Sequence, residues 1–98
     1  MRETVDRLVT DALLAAIAAG ELDLDSAALP ERGIERPRDP SHGDWASSVA
    51  LRLAKEVGKN PREVARIIAD RIEQSADIDS VEVAGPGFIN MRLAHPAL

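Results

Sequence analysis

Apolar residues recur at helical spacing near the N-terminus of the chain. They follow the i, i+3, i+4, i+7 pattern and are Val5, Leu8, Val9, Ala12, Leu13, Ala16 and Ile17. This spacing predicts an amphipathic helix over about residues 4–19, with one buried face. Gly20 follows at the place where a left-handed residue commonly ends a helix. Residues 21–33 are acidic and small, contain Pro30 and Gly33, and are typical of a connecting loop.

A second helix is predicted in the middle of the chain, after a short extended piece. Ile34 begins this piece, which ends before Pro37 because a residue that precedes proline is pushed towards extended geometry. Ser41 and Asp44 then match the S-x-x-D pattern of a capping box, ahead of a helical run over residues 45–57. One helical line through this run is formed by Trp45, Val49, Leu53 and Val57.

A third helix is predicted directly after the second. Asn60 is a favoured cap, Pro61 suits the first helical position, and Glu63 suits the third. The buried line of this helix is Val64, Ile67, Ile68 and Ile72. The helical pattern fades near Ser75.

Beyond that point the pattern changes from the helical period to the alternation of a strand. Residues 81–83 alternate, residues 85–87 are a Gly-Pro-Gly turn in which either glycine can adopt a positive φ, and residues 88–93 alternate again. This predicts a β-hairpin. The element order of helix, short strand, helix, helix and hairpin predicts an α+β fold, with three helices packed on one face of a small antiparallel sheet.

The second strand of the hairpin divides its side chains between two faces. Alternation assigns to the helix side Ile89, Met91 and Leu93. Phe88, Asn90 and Arg92 therefore point to the face that the helices leave open. A ring can stack on a base, an amide can pair with a base edge, and a guanidinium can reach a phosphate, so this face is a candidate contact for an unpaired nucleotide. On alternation alone, the simpler interpretation is that Phe88 only covers the open face or packs at its rim.

Length and composition restrict the class of protein. The 98 residues can form one domain around one core, and the absence of cysteine excludes disulfides and thiolate metal sites. No apolar run approaches the ~18 residues that a transmembrane helix needs, and the N-terminus does not match a signal peptide. We therefore expect a cytoplasmic protein that does not contact a membrane.

The charge of the chain is unevenly distributed. The net charge of −5 argues, at first sight, against a nucleic-acid partner. Residues 1–31 carry two basic and seven acidic side chains, whereas residues 32–62 carry seven basic and four acidic ones. An acidic first helix and a basic middle can lie on different faces. A local positive patch is therefore compatible with the sequence, but strong non-specific binding of DNA or another polyanion is not.

Residues 37–44 form a loop that contains the histidine in the middle of the chain. Ser41 and His42 are adjacent, neighbouring side chains rarely face one another, and no buried acid is evident to orient the ring, so a nucleophile–base pair is not expected. A small hydrolase that uses His42 is the weakest alternative. His95 is too distant in sequence to suggest a metal site. Local structural roles are favoured for the loop, with phosphate contacts at a helix N-terminus as the alternative.

Two stretches of the chain resemble a known family. The first is Ile-Glu-Arg-Pro-Arg-Asp-Pro-Ser-His-Gly-Asp-Trp-Ala at 34–46, followed by Leu-Arg-Leu-Ala-Lys at 51–55. The second is Val-Ala-Gly-Pro-Gly-Phe-Ile-Asn-Met-Arg-Leu at 83–93. In order and separation they resemble the two conserved blocks of the arginyl-tRNA synthetase N-terminal domain, over about residues 5–95. Trp45 stands where the family often has Phe, and Met91 where an aromatic residue is frequent; both departures fall on the core side.

This resemblance implies a role for the chain. In that family the domain is an appendage ahead of a class I catalytic domain, and it touches the outer corner of tRNA(Arg) at the D-loop. An aromatic residue and an asparagine two positions later recognise an unpaired D-loop base, and these positions map onto Phe88 and Asn90. The resemblance therefore implies a chain that binds tRNA(Arg) and catalyses nothing alone. The alternative is a structural or protein-interaction module that braces the catalytic domain with little RNA contact.

The resemblance also implies what the parent protein supplies. The His-x-Gly-His and Lys-Met-Ser-Lys sequences of class I synthetases do not occur in this chain. ATP, arginine and Mg²⁺ would be bound by the catalytic domain of the parent, and no cofactor is expected here. We assign residues 1–95 to the N-terminal domain and residues 96–98 to the start of the linker to that catalytic domain, which is the second expected partner.

The hairpin, the loop and the resemblance together define the expected site. The expected RNA-binding residues are Phe88, Asn90, Arg92, Gly85 and Gly87. Phosphate or structural contacts are expected from Arg36, Arg38, Ser41, His42 and Gly43. No catalytic or metal-binding residue is expected in the chain.

Overall fold

A computed structural model describes residues 1–94 and contains three α-helices and four β-strands. The helices are α1 (Arg2–Ala18), α2 (Val49–Val57) and α3 (Pro61–Ile72). The strands are β1 (Ile34–Glu35), β2 (Trp45–Ser47), β3 (Ile78–Ala84) and β4 (Phe88–Leu93). A short 3-10 helix spans Pro40–His42. The predicted α+β class and the predicted order of elements are confirmed, with β2 as an added strand.

The four strands form one antiparallel sheet in the order β1-β2-β4-β3. β3 and β4 are the predicted hairpin, and β2 pairs with the other side of β4, which makes β4 a central strand. The helices cover one face of this sheet, where Ile89 and Met91 are fully buried. No helix of residues 1–94 covers the opposite face, as the alternation along the hairpin predicts.

Small residues bring α1 and α3 close together above the sheet. The two helices contact each other, and each contributes buried alanines, namely Ala12, Ala16, Ala65 and Ala69. Larger residues beside them fill the core, because an interior packed at the density of a crystal leaves few voids. Val5, Val9 and Leu13 of α1 have no exposed surface.

The loop after α1 is part of the core. The sequence indicates a solvated connection here, but Leu22 and Leu24 are buried. Glu21 forms an ion pair with Arg71 of α3, with 3.1 Å between the carboxylate and the guanidinium. Burial of two leucines and this ion pair hold the loop against the end of the helical layer.

The prediction that the second helix begins at Trp45 is wrong. Trp45–Ser47 forms β2, and α2 begins only at Val49. Trp45 lies opposite Met91 in β4, so the backbone of β2 satisfies the hydrogen bonds that this side of β4 would otherwise leave open. The Ser47 hydroxyl then donates to the Arg32 carbonyl and accepts from the Val49 amide, which ends the strand and starts the helix.

The predicted capping box is also wrong. Ser41 lies in the 3-10 helix, where its backbone amide donates to Asp39 at 2.9 Å and holds the pKa of that carboxyl below its usual value. Asp44 instead fastens the loop to β4. Its amide donates to the Met91 carbonyl at 2.8 Å, and its carboxylate accepts from the Leu93 amide at 2.8 Å. A side chain that matches a cap pattern can equally accept a hydrogen bond from the backbone of a distant strand.

The third helix begins as predicted. The Asn60 side chain accepts from the Glu63 amide at 2.9 Å, with Pro61 at the first helical position. The helix ends at Ile72, three residues before the point where the pattern fades.

The predicted linker at residues 96–98 and His95 lie outside the described residues. Within residues 1–94, no helix is long and apolar enough to cross a bilayer.

Replacement of Asp44 and of Ser41 tests whether Asp44 fastens the loop to β4 or whether the two residues cap a helix. We expect Asp44→Ala to lower the free energy of unfolding by about 1–3 kcal/mol, because it leaves the Leu93 amide without its charged acceptor. Ser41→Ala should cost less than about 0.5 kcal/mol, since the Ser41 side chain caps no helix. Urea unfolding measures both values. A decrease of about 1 kcal/mol in the free energy of unfolding of Ser41→Ala would instead support the capping box.

An ion pair between α1 and the loop before β1 makes stability depend on pH. Arg32 donates to the Asp6 carboxylate at 2.7 Å, and this hydrogen bond lowers the pKa of Asp6. The pair is partly exposed, so we expect Asp6→Asn to cost about 0.2–1 kcal/mol at neutral pH.

The difference in the free energy of unfolding between wild type and Asp6→Asn should be constant above the ordinary carboxyl pKa of 3.8. It should vanish as the pH falls through the lower folded-state pKa, since a depressed carboxyl pKa stabilises the fold only while the group is ionised. Urea unfolding at a series of pH values provides the measurement. Asp70→Asn is the control, because it breaks a looser exposed pair with Arg66 at 3.6 Å. If the difference in the free energy of unfolding grew at low pH, Asp6 would not stabilise the fold as the ionised partner of Arg32.

Candidate nucleic-acid interface

The open face of the sheet carries a small set of aligned side chains. Strand register places Ala46, Asn90 and Glu82 side by side across β2, β4 and β3. Ala84 lies opposite Phe88 in the next pair towards the hairpin turn. Residues directly opposite each other in neighbouring strands share a face. These five residues therefore form a floor on which the two alanines leave space above the sheet.

A groove lies over this floor, with a volume of about 480 Å³. One wall is formed by the loop between β1 and β2, which folds over the open face. The lining residues are Glu35, Arg36, Pro37, Arg38, His42, Ala46, Ala84, Phe88 and Asn90. The groove thus brings together residues of the two separate sequence blocks.

Phe88 and Asn90 both lie in the groove, on the side that alternation predicts. Phe88 is half-buried. Asn90 is only 7% exposed, which is less than expected for a side chain that faces solvent. The loop wall accounts for this difference, because it covers the middle of the sheet. The Asn90 carboxamide makes no hydrogen bond within residues 1–94, and no fully buried side-chain nitrogen or oxygen there lacks a partner. The carboxamide therefore keeps some access to the groove.

Arg92 lies at the far end of the same strand and is exposed. Its guanidinium donates to the Ser41 carbonyl at 3.0 Å, which holds it over the 3-10 helix. Only one of the guanidinium's N–H groups is needed for this bond. Arg92 is therefore a cation with a fixed position at one margin of the groove.

Arg36 is fixed in a similar way. It stacks over the Trp45 ring, with 4.0 Å between its guanidinium carbon and the ring centroid, and donates to the Asp44 carbonyl at 3.1 Å. A cation over the face of an indole is attracted by the ring quadrupole. Arg38 lines the groove two residues later and is exposed.

The remaining loop residues have mainly backbone roles. His42 is exposed at the groove, and its backbone amide donates to the Asp39 carbonyl at 2.9 Å. Gly43 has a φ of +127°, and a Cβ there would lie 2.7 Å from the Met91 carbonyl oxygen. Among residues 1–94, no three His, Cys, Asp or Glu side chains are grouped so that they could hold a metal ion.

Gly85 and Gly87 form the hairpin turn but do not line the groove. Gly85 has a φ of +55°, and Gly87 has a φ of +148°. A Cβ on Gly87 would lie 2.8 Å from the Pro61 side chain and 3.0 Å from its carbonyl oxygen. Gly87 is thus required for the contact between the turn and the first turn of α3.

One part of the site and one contact beside it are not evident from the sequence. Ala46 belongs to the floor because β2 is a strand, and the helical line through Trp45 and Val49 conceals that strand. Arg62 donates to the Gly85 carbonyl and so ties α3 to the hairpin turn. The only sequence signal for it is its place in the Asn-Pro-Arg-Glu helix start.

Comparisons with known proteins agree on one family. The family model described as Arginyl tRNA synthetase N terminal domain matches residues 3–93. An arginine–tRNA ligase of Kineococcus radiotolerans is 54% identical over 84 residues, which cover 85% of this chain and 15% of that protein. An arginine–tRNA ligase of Pseudarthrobacter chlorophenolicus is 43% identical over 90 residues, which cover 91% of this chain and 16% of that protein. The chain therefore spans only about a sixth of the length of these curated relatives.

Solved structures share the fold. An arginyl-tRNA synthetase from Plasmodium falciparum superposes with a TM-score of 0.76 at 11% identity, over 97% of this chain and 16% of that one. The Thermus thermophilus arginyl-tRNA synthetase gives a TM-score of 0.67 at 23% identity, over 99% of this chain and 14% of that one. At these identities the likeness concerns the fold alone.

The close contact at Gly87 predicts a large effect of an added methyl group. Gly20→Ala introduces a side chain at a φ of +77° with nothing within 4 Å, so it should cost only the conformational penalty of about 1–2 kcal/mol. Gly87→Ala adds a clash with the Pro61 backbone, and we expect it to cost about 1–3 kcal/mol more. Urea unfolding of the two variants compares these costs. Equal losses would mean that the turn does not depend on its approach to α3.

Proposed function

The chain belongs to the arginyl-tRNA synthetase N-terminal domain family, and from that premise we propose that it is the tRNA-binding appendage of an arginine–tRNA ligase. In this proposal it contacts the D-loop corner of tRNA(Arg) and catalyses nothing alone. ATP, arginine and Mg²⁺ bind to the catalytic domain of the parent protein, which performs the arginylation. One observation carries the RNA contact: Phe88 and Asn90 share a groove on the face that the helices leave open.

The size and chemistry of the groove suit one unpaired nucleotide. Its volume of about 480 Å³ falls in the range of about 300–1,000 Å³ that small-ligand sites occupy. The Phe88 ring offers a stacking surface, and the Asn90 carboxamide offers a donor and an acceptor to a base edge. Ala46 and Ala84 leave room for the base between these groups.

The charges around the groove orient the nucleotide. Glu35 lines the groove, and Glu82 lies beside Asn90 in strand register. Their carboxylates repel a phosphate and can accept from the amino or imino groups of a base. Arg36 and Arg38 lie on the wall. This arrangement favours a base on the floor and its phosphates at the margin, and it explains how a chain of net charge −5 can contact RNA.

The isolated domain should bind tRNA weakly. A few contacts of this kind correspond to an affinity between about micromolar and millimolar. Covalent linkage to a catalytic domain that binds the same tRNA would raise the effective concentration of the groove, so a weak contact still contributes to specificity.

Replacement of the two central side chains tests the proposal. We expect Phe88→Ala and Asn90→Ala each to weaken binding of a tRNA(Arg) transcript by about fivefold to a hundredfold, since stacking contributes about 1–3 kcal/mol per base. Titration at low salt, followed by the fluorescence of the single tryptophan, gives the affinities.

Leu14→Ala is the matched control, because Leu14 is an exposed apolar residue of α1 on the helical side of the sheet. A transcript with its unpaired D-loop bases replaced should lose affinity for the wild type but not for Phe88→Ala. Unchanged binding in both groove variants would refute the base contact and leave a structural module that braces the catalytic domain.

A further inference from the structure

Three arginines around the groove share one structural feature. Arg36, Arg62 and Arg92 are exposed, and each donates one guanidinium N–H to a backbone carbonyl. Arg36 and Arg92 are expected contacts from the sequence. Arg62 lies on α3, outside the two stretches at 34–55 and 83–93, and its side chain reaches the hairpin turn at Gly85.

We propose that Arg62 is a further phosphate-binding residue at the hairpin end of the groove, an inference that rests on the proposed RNA contact at Phe88. Its ligand is a phosphodiester of the single-stranded RNA segment whose base stacks on Phe88. Arg92 lies at the opposite end, so the RNA backbone runs along the margin of the groove.

The hairpin turn connects Arg62 to the stacking ring. The Arg62 guanidinium binds the carbonyl of Gly85, and a Cβ built on Gly85 would lie 3.6 Å from the Phe88 ring. Gly85 is thus near the Phe88 ring and is bonded to the Arg62 guanidinium, which places Arg62 close to the Phe88 end of the groove. A nucleotide stacked on Phe88 therefore has its backbone within reach of an arginine side chain.

Of the basic side chains at positions 59–66, Arg62 is the one that forms no ion pair with a carboxylate within residues 1–94. Within residues 1–94, Lys59 pairs with Glu63 at 3.8 Å and Arg66 pairs with Asp70 at 3.6 Å, while no such ion pair involves Arg62. Its full positive charge remains at the hairpin end of the groove. Phosphate is the anion that an RNA partner presents there.

The bond to Gly85 prepares Arg62 for this role. A guanidinium has five N–H donors, and one of them is used by the Gly85 carbonyl. The side chain is already held in one region, so less conformational freedom is lost when it binds a phosphate through the remaining donors. The carboxylates of Glu35, which lines the groove, and of Glu82, which lies beside Asn90, keep the phosphate at this margin by repulsion.

The salt dependence of tRNA binding distinguishes a phosphate contact from a purely structural role. Each phosphate contact adds about 0.7–0.9 to the slope of the logarithm of the binding constant against that of the salt concentration. We expect Arg62→Ala to reduce this slope by that amount for a tRNA(Arg) transcript. Its loss of affinity should then be about threefold larger at 50 mM than at 200 mM salt.

Two variants of the same helix are the controls. Arg62→Lys keeps the charge and should keep the slope, even if it changes the contact with Gly85. Arg66→Ala removes a cation one helical turn away that is already paired with Asp70, and it should leave the slope unchanged. Circular dichroism of each variant verifies that the chain is folded.

Each outcome decides between the two proposals. An unchanged slope in Arg62→Ala, or equal decreases of the slope in Arg62→Ala and Arg66→Ala, would overturn the phosphate contact. In that case, weaker binding of tRNA(Arg) by Phe88→Ala in the same titration would leave the base contact standing. If Arg62→Ala lowers the slope while Phe88→Ala binds normally, the base contact is wrong and the RNA follows another path. No binding of tRNA(Arg) by the wild type would overturn both.

Discussion

The groove depends on the close approach of one loop to the central strand. Gly43 lies so near β4 that a Cβ would meet the Met91 carbonyl oxygen at 2.7 Å, and its φ of +127° suits only glycine. Asp44 then holds the backbone of Met91 and Leu93 with its amide and its carboxylate. These contacts set the register of β2 beside β4, and they fold the preceding residues over the open face of the sheet. Without them the sheet would present a flat surface instead of a groove.

Electrostatics divides the same surface into two zones. The chain as a whole is acidic, yet two exposed arginines near the groove, Arg36 and Arg92, are held by the carbonyls of Asp44 and Ser41. Two carboxylates lie near the centre of the groove, since Glu35 lines it and Glu82 lies beside Asn90. Interactions between exposed charges fade over about 8–10 Å at ordinary ionic strength, so the local arrangement matters more than the net charge.

Sequence patterns located the part of the site that depends on local side-chain direction and missed the part that depends on distant residues. Alternation along β4 identified the face on which Phe88 and Asn90 lie, because side-chain direction in a strand is a local property. It could not indicate that Asn90 is enclosed, since the enclosing wall comes from residues some fifty positions earlier in the chain. Gly85 and Gly87 are in the predicted turn, but the contact of Gly87 with Pro61 gives them a structural role beside the groove.

The sequence by itself determined the elements whose signals are local: α1 from its periodicity, α3 from the cap at Asn60, and the hairpin from its alternation and its glycine turn. Tertiary structure decided the state of residues 45–47, which carry a helical pattern and yet form a strand. The reason is that periodicity records which side of a segment is buried, not what buries it. Trp45 is buried either way, and only the presence of β4 beside it, with unpaired backbone groups to satisfy, favours the extended form.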